Sequence, residues 1–381
     1  MDFSFNDDQR ALIELARQIF TDGATHQRMR LIERSGEPRF DPQLWQAVTA
    51  AGLAGLAVPT EHGGSGLGFL EVALVLERLG HAVAPVPLLE TLVLGALPLT
   101  QFGSPAQQAA HLPGIASGQT IFTAAIQELA GDPVEPVTTA RREGANWVLD
   151  GTKICIPAGQ IAHRALIAAR AAEAVHVFVV DLDAAGLERI ALDTTSGQPE
   201  ADFVLQGVRV SDAARLPADG REIVRWLVLR ANAALASLAV GVCEAALELT
   251  AKYTKERKQF GLAIATFQAV VHREADAYID TEAVRLTSRQ AAWRIAEGLP
   301  VEVEVAVAKA WAADGGQRVV HAAQHLHGGV GADRDYPLHR YFLYARQLEL
   351  ALGGASQQYA TLGRLIAAGG QGGDERPGVA L

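Results

Sequence analysis

The chain has 381 residues, 49% hydrophobic and 20% charged, a composition typical of a globular protein long enough for two or three domains. Its net charge of -10 argues against a nucleic-acid-binding role, because an acidic surface repels phosphates. The sequence does not open with a basic region followed by an apolar core, and no uncharged apolar stretch reaches roughly 18 to 20 residues, so we expect no membrane segment. Both cysteines lie in apolar runs, which suggests a reducing compartment, and we expect a cytoplasmic protein.

Residues 1–118 are predicted to form an N-terminal helical domain. Apolar residues recur at helical spacing from residue 11 to 20, behind a possible cap at Asn6 or Asp7. A second helix is predicted over residues 42–51, and helical periodicity returns over 69–79. Prolines and glycines between 113 and 118 mark the end of this domain.

Residues 119–217 are predicted to form a central β domain, similar to a barrel or sandwich. Two apolar runs flank Asp150-Gly151, a pair that favours a hairpin turn because both positions tolerate positive φ. Further strands are predicted over residues 165–169, 175–180 and 203–210.

Residues 218–367 are predicted to form a four-helix bundle. The apolar residues between 235 and 253 step by three and four positions, which indicates one buried stripe on a long helix. Two more long helices are predicted over residues 267–297 and 300–325, with few connecting residues. The glycine-rich residues 368–381 are predicted to be a flexible tail.

A charged turn between two predicted helices carries the most specific motif. It runs Arg257-Lys-Gln-Phe260-Gly261 and continues to Phe267-Gln268. This pattern resembles the FAD signature of the acyl-CoA dehydrogenase family. The resemblance implies that Arg257, Phe260 and Gln268 act across a subunit interface, on the pyrophosphate and adenine of a neighbour's FAD. A guanidinium makes forked bonds to phosphate, and an aromatic ring offers a stacking face.

A glycine-rich turn resembles a second motif of that family. The stretch 324–331 is similar to the family's glutamine-x-x-Gly-Gly-x-Gly turn, in which Gly328 and Gly329 would let the backbone approach the cofactor. When the glycines are aligned, the family's glutamine falls at His325, and Gln324 lies one place early. Either side chain could hydrogen-bond the dinucleotide.

A metal site is a competing interpretation of the same segment. His321, His325 and His327 lie close together in the sequence. No cysteine lies nearby and no carboxylate pattern completes a ligand set, so the flavin interpretation is favoured and no metal is predicted.

The part of the flavin site that a chain supplies to its own FAD departs from the family pattern. Family members have an aromatic residue, Ile and Thr or Ser against the isoalloxazine ring, where this sequence has Cys155-Ile-Pro157. Proline has neither an N–H nor a hydroxyl to offer. The stretch 125–132 keeps Glu128 and Gly131 of a second family segment and loses the rest. Gln357 is the remaining residue that the resemblance assigns to FAD.

The catalytic base of the family is absent from the sequence. The reaction needs a carboxylate that removes the α-proton while hydride leaves the β-carbon for the flavin. The position that carries this glutamate in most members corresponds to Gly353, or to Leu352 if the alignment shifts by one residue. A minority of members place it on the preceding long helix, at the position of Ala231. Glu349 is the nearest acid, one helical turn away.

These matches and departures predict a subunit of an FAD-dependent acyl-CoA dehydrogenase that acts on a fatty or steroid-like acyl-CoA. In the leading hypothesis it is the base-lacking partner in an α2β2 heterotetramer, with an electron-transfer flavoprotein as acceptor. The second hypothesis is a self-sufficient homo-oligomer with a relocated base, for which Glu349 and Glu128 are the candidates. The third is a non-catalytic scaffold that binds acyl-CoA.

Overall fold

The computed structural model describes residues 4–129 and 131–369, in which a helical part, a β part and a second helical part follow one another. The N-terminal elements are α1 (Asp7–Gly23), α2 (His26–Glu33), α3 (Pro42–Ala50), α4 (Phe69–Ala82), a π-helical segment (Glu90–Ala96), α5 (Leu97–Phe102) and α6 (Pro105–Ala116). Helix α1 begins where the sequence predicts, because the side chains of Asn6 and Gln9 bond each other's backbone N–H groups.

The central part is one seven-stranded sheet, a half-barrel that agrees with the predicted barrel-like β domain. Its strands are β1 (Phe122–Ala125), β2 (Thr139–Glu143), β3 (Asn146–Ile156), β4 (Arg164–Ala171), β5 (Ala174–Asp181), β6 (Leu187–Ala191) and β7 (Ala201–Ser211). They are ordered β1-β4-β2-β3-β7-β6, and β5 pairs with β4. All pairs are antiparallel except those of β4 with β1 and with β2.

The predicted hairpin at Asp150-Gly151 is wrong. Strand β3 runs straight through both residues, and its pairing with β7 shifts register there. The Asp150 carboxylate accepts the Gly207 N–H at 2.7 Å, and a Cβ on Gly151 would lie 2.6 Å from Thr138 Oγ1. The bulge therefore lies in β7, where Gln206 and Gly207 face Asp150, while Gly151 permits close packing on Thr138. The hairpin turn lies earlier, between Glu143 and Asn146.

The C-terminal part is a helical bundle, as the sequence predicts. It contains α7 (Gly220–Glu256), the short strands β8 (Lys258–Gln259) and β9 (Leu262–Ala263), and helices α8 (Gln268–Ala296), α9 (Glu302–His327), α10 (Leu338–Leu350) and α11 (Ala355–Gly369). Residues 368 and 369, predicted to begin the tail, end α11; the remainder of the predicted tail lies outside the described residues.

Helix α7 corrects the expectation that no apolar stretch is long enough to cross a membrane. By length and composition it passes that test, but 78% of its most apolar 18-residue stretch is buried inside the protein. A helix at the centre of a bundle is apolar on most sides because neighbouring helices surround it. Burial in the fold therefore accounts for its composition.

The two helical parts meet where α4 crosses α7 at very close range. A Cβ added to Gly80 would lie 2.1 Å from Leu238 O, and one added to Gly241 would lie 1.9 Å from Glu77 O. Only glycine permits this approach of two backbones. Beside the crossing, the buried Glu77 carboxylate accepts two bonds from Arg289 of α8, at 2.9 and 2.7 Å. The N-terminal helices are thereby fixed on the bundle.

Candidate functional site

A mostly apolar cavity lies where the three parts of the chain meet. Its walls come from the π-helical segment, β1, β3, α7, α10 and the turn after α10. It contains about 80 Å³ of space open to water, enough for several water molecules.

Two of the positions at which the sequence predicts the family's base would lie are part of the wall of this cavity. Ala231 of α7 and Leu352 of the turn after α10 both contribute to its wall, whereas Gly353 does not. Gly353 has φ +101°, and the buried Lys309 holds its carbonyl. The structure thus brings together the two alternative positions, and neither side chain can accept a proton.

The backbone that would face a flavin ring has its polar groups bonded within the protein. The Cys155 N–H donates to Asp202 Oδ1 at 2.8 Å, and the Pro157 carbonyl accepts the Thr123 hydroxyl at 2.6 Å. The Ile154 N–H donates to Gln127 O at 3.0 Å. This edge of β3 therefore has no free donor at these positions, so the residues present do not fit a flavin ring.

The charges around the cavity also oppose a dinucleotide. Burial, followed by the negative charges of Glu200 and Asp202, raises the pKa of the Cys155 thiol. Burial likewise raises the pKa of Glu200. Arg346, which borders the adjoining cleft, pairs with Glu349 at 2.6 Å. Two phosphates would meet an acidic surface whose nearest guanidinium is already engaged.

The two acids that the sequence suggests as relocated bases have structural partners. Glu128 accepts Lys153 Nζ at 2.7 Å and the Thr138 hydroxyl at 2.6 Å, and these bonds keep the pKa of its carboxyl low despite burial. Glu349 is held by Arg346 and does not line the cavity. A general base needs an accessible carboxylate within reach of its proton, and neither residue provides one.

One carboxylate in the cavity escaped the sequence analysis. Glu90, the first residue of the π-helical segment, lines the cavity, and burial raises its pKa to about 7. The sequence does contain a signal, because Glu90 is the one charged residue in the stretch 82–110, which is rich in leucine, valine and proline. A lone acid inside a buried segment indicates a specific environment.

The turn after α7 displays an aromatic ring to solvent. Strands β8 and β9 form a two-residue hairpin whose central residues, Phe260 and Gly261, have φ of 52° and 79°. The Phe260 side chain is 94% exposed, and its ring meets Phe267 edge-on with a centroid distance of 6.3 Å. A two-residue hairpin requires positive φ at both central residues, a conformation that is costly for a bulky residue such as Phe260.

Arg257 and Gln268 flank that turn and are also exposed. Among the described residues, no carboxylate pairs with the Arg257 guanidinium, and Gln268 makes only a 3.5 Å contact with His272. Arg257 ends α7, while Gln268 begins α8. Two polar side chains and one aromatic ring thus stand free on the same short connection.

The glycine-rich turn lies beside this connection. His327 is buried, stacks on Tyr253 of α7 at 4.4 Å and bonds Ala323 O and the Tyr336 hydroxyl. That stack sets the end of α9 against the last turn of α7. Gln324 clamps the turn through Gly331 O and Ala332 N–H.

Of the two residues that could replace the family's glutamine, only one is free. Gln324 is engaged in the turn, whereas His325 is exposed. Gly328 and Gly329 are exposed too, and a Cβ on either would meet no atom within 4 Å. Gln357 is exposed on the first turn of α11, following the turn that carries Leu352.

The neighbouring histidines do not form a metal cluster. His327 uses both ring nitrogens within the fold, and His321 packs its ring edge against Phe342. Within residues 4–129 and 131–369, no group of three or more His, Cys, Asp or Glu side chains could hold a metal ion.

The whole chain matches one enzyme family. Models described as the N-terminal, middle and C-terminal domains of acyl-CoA dehydrogenases match residues 6–119, 127–209 and 218–366. The chain belongs to the acyl-CoA dehydrogenase family, whose members are FAD-dependent oxidoreductases.

Its similar relatives include subunits of complexes. "Acyl-CoA dehydrogenase FadE27" of Mycobacterium tuberculosis (strain ATCC 25618 / H37Rv) is 38% identical, over 96% of this chain and 99% of the relative. The ChsE4-ChsE5 complex from Mycobacterium tuberculosis contains a chain 39% identical, with a TM-score of 0.92 and coverage of 96% and 99%. A variant of the Tcur3481-Tcur3483 steroid ACAD is 43% identical, with a TM-score of 0.89 and the same coverage. The chain is thus close to steroid acyl-CoA dehydrogenase subunits of heteromeric complexes.

Proposed function

We propose that this chain is the base-lacking subunit of a hetero-oligomeric acyl-CoA dehydrogenase that desaturates an acyl-CoA thioester between its α and β carbons. In this assignment the partner supplies the base and the flavin pocket. This chain supplies the exposed residues that complete the partner's FAD site: Arg257, Phe260, Gln268, His325, Gly328 and Gly329. Gln357, near the turn after α10, is proposed as an additional contact.

The main support for the proposal is the distance along α7 between the cavity and the exposed turn. Ala231 lines the cavity, and Arg257 ends the same helix 26 positions later. At 1.5 Å per residue these positions are about 39 Å apart. That distance exceeds the reach of a dinucleotide with its ring in this cavity. Arg257 and Phe260 therefore suit a cofactor seated in another chain.

Each exposed residue has a chemical task in that assignment. When bound, FAD supplies the acceptor for the hydride that leaves the β-carbon. The Arg257 guanidinium would bind its pyrophosphate, and the Phe260 ring would cover its adenine. Gly328 and Gly329 leave open space in which the cofactor could approach the backbone. Because Ala231 and Leu352 hold no proton acceptor, the α-proton passes to a group of the partner.

The relatives support a choice of partner and substrate. ChsE4-ChsE5 and Tcur3481-Tcur3483 each combine two named chains, and the latter is a steroid ACAD. We propose a second acyl-CoA dehydrogenase subunit as the partner, a bulky steroid-like acyl-CoA as the substrate and an electron-transfer flavoprotein as the acceptor. A cytoplasmic location remains a prediction.

Flavin counting tests the proposal. The chain should be produced alone and together with a family member encoded beside it, and FAD should be measured by absorbance after denaturation. We expect almost no FAD in the chain alone and one FAD per pair of unlike subunits in the assembly. Full FAD occupancy with acyl-CoA oxidation by the chain alone would overturn the proposal.

Variants of the exposed turn test the contribution in trans. Arg257→Ala or Phe260→Ala in this chain should weaken FAD binding by the assembly roughly tenfold to hundredfold, as expected for losing about 1.5–3 kcal/mol. Arg209→Ala removes an exposed guanidinium from the β sheet and serves as the matched control. Equal FAD affinity in all three assemblies would contradict the assignment.

One observation favours the self-sufficient enzyme as a second candidate. Glu90 is a carboxylate in the cavity with a pKa near the pH at which general bases work. If it were the base, Glu90→Gln would abolish turnover by the assembly. Under our proposal the partner holds the base, so the same variant should retain most of the turnover.

A further inference from the structure

The cavity of this chain has the features of a small-ligand site that does not depend on flavin. Leu89, Leu94, Leu235 and Leu238 provide apolar walls, and Glu90 lies among them. Within the described residues, no side chain hydrogen-bonds to the Glu90 carboxyl. The carboxyl accepts a hydrogen bond from the backbone N–H of Glu90 itself. Gln127, Tyr344 and Gln347 also line the cavity, and apolar walls with a few convergent polar groups are a common form of ligand site.

The backbone at Glu90 is unusual as well. The segment Glu90–Ala96 is π-helical, a conformation that is rare and found frequently at functional sites. A Cβ on Gly95 would lie 2.4 Å from Phe122 Cβ, so the segment is pressed against β1 and cannot shift toward it. The position of Glu90 at the cavity is therefore fixed by packing rather than by solvation of its charge.

The surroundings of Glu90 select the charge of an occupant. The ionisable groups that face the cavity from the packed elements are Tyr344 of α10, Cys155 of β3 and, next to them, Glu200 before β7. Burial raises the pKa of Glu90 to about 7, with a smaller contribution from Glu200, so the carboxyl can carry a proton at neutral pH. An anion would be repelled by the two acids, and a cation would lose its hydration among leucines.

We propose that this cavity binds a compact uncharged alcohol, with its hydrocarbon body against the leucine walls and its hydroxyl exchanging hydrogen bonds with the Glu90 carboxyl. A hydroxyl both donates and accepts, so it can bond either form of the acid. The site thus gives this subunit a ligand of its own, separate from the dehydrogenation carried out with its partner.

Three six-membered-ring probes test the chemistry on the full-length chain by calorimetry and ligand-observed NMR. We expect cyclohexanol to bind at least tenfold more tightly than methylcyclohexane, which lacks the hydroxyl. Glu90→Leu should remove this preference, Glu90→Gln should keep it because an amide also donates and accepts, and Glu61→Leu, at an exposed acid, should not change it. No binding of cyclohexanol, or the same preference in Glu90→Leu, would overturn the proposal.

The third probe and a labelling assay keep the test decisive if Glu90→Leu does not fold. Tighter binding of cyclohexylamine than of cyclohexanol, increasing from pH 6 to pH 8.5, would identify a cation site and overturn the proposal. In the wild-type chain, Cys155 is exposed at the cavity whereas Cys243 is buried. Saturating cyclohexanol should slow alkylation of Cys155 several-fold, and an unchanged rate would also count against the site.

Discussion

Replacing Lys309 by methionine should release the turn that carries Leu352. Lys309 of α9 is fully buried, and its ammonium donates to Leu348 O and Glu349 O at 2.9 Å and to Gly353 O at 3.1 Å. Leu348 and Glu349 lie in the last turn of α10, where carbonyls lack intrahelical donors. One side chain therefore caps α10 and holds the following turn.

The magnitude follows from the acceptors that lose their donor. Gly353 O keeps a second bond, from Gln358 Nε2 at 3.2 Å, whereas no other side chain bonds Leu348 O or Glu349 O among the described residues. Leaving a buried polar group unsatisfied costs about 1–3 kcal/mol, and methionine fits the space of the lysine stem. Because two buried carbonyls lose their side-chain donor, we expect Lys309→Met to destabilise this region by about 3–4 kcal/mol.

Hydrogen exchange measured by mass spectrometry resolves the effect within the bundle. A multidomain chain need not unfold in one step, so a local measurement is preferable to a single melting curve. Peptides covering residues 345–358 should exchange about 10²- to 10³-fold faster in Lys309→Met, since about 1.4 kcal/mol corresponds to a factor of ten. Lys255→Met, at an exposed position of α7, is the matched control. Exchange within threefold of the wild type, or equal acceleration across the whole chain, would refute the reasoning.

Three other variants test separate parts of the structure. The folded pKa of Glu90 is raised from 4.5 to about 7, so the wild type loses up to about 3 kcal/mol of stability as pH rises through this window. Glu90→Gln should remove that loss, and denaturation midpoints that stay parallel between pH 5 and pH 8 would contradict it. Glu128→Gln weakens the bonds to Lys153 and Thr138, so the free energy of unfolding should fall by about 2–4 kcal/mol while FAD per assembly is unchanged. A loss of turnover without destabilisation would restore Glu128 as a candidate base. Phe260→Asn suits positive φ, so the isolated chain should gain about 1 kcal/mol while the assembly loses FAD affinity, and a stability loss would show that Phe260 packs within its own chain.

Local sequence patterns predicted most of the fold. Helical spacing located the long C-terminal helices, and the three-part order is confirmed. Asp150-Gly151 misled because glycine is required there for close packing on Thr138 rather than for a turn, and a sequence pattern does not distinguish the two uses. Strands β1, β2 and β6 were not predicted, since four or five residues carry too little periodicity.

The candidate site was predictable where a motif is contiguous. The family and its FAD chemistry are confirmed, while the roles of Arg257, Phe260 and Gln268 stay predictions. The cavity was not predictable, because residues from β3, α7 and α10 meet there only in three dimensions. Lys309 escaped for the same reason, since its burial and its partners depend on the fold. Glu90 does stand out in the sequence as a lone charge in an apolar stretch, but its place in the cavity depends on the fold.

The uninterrupted length of α7 makes the relation between cavity and turn sensitive to insertions. The helix has 37 residues, about 55 Å, and among the described residues it contains no proline or break that could absorb a change. Adding a single residue between Ala231 and Arg257 would rotate Phe260 by about 100° around the helix axis and advance it by about 1.5 Å. Such an insertion would turn the aromatic ring to another side of the helix and move the buried residues that follow it out of register with α8 and α9. The length of α7 is therefore constrained as well as its composition.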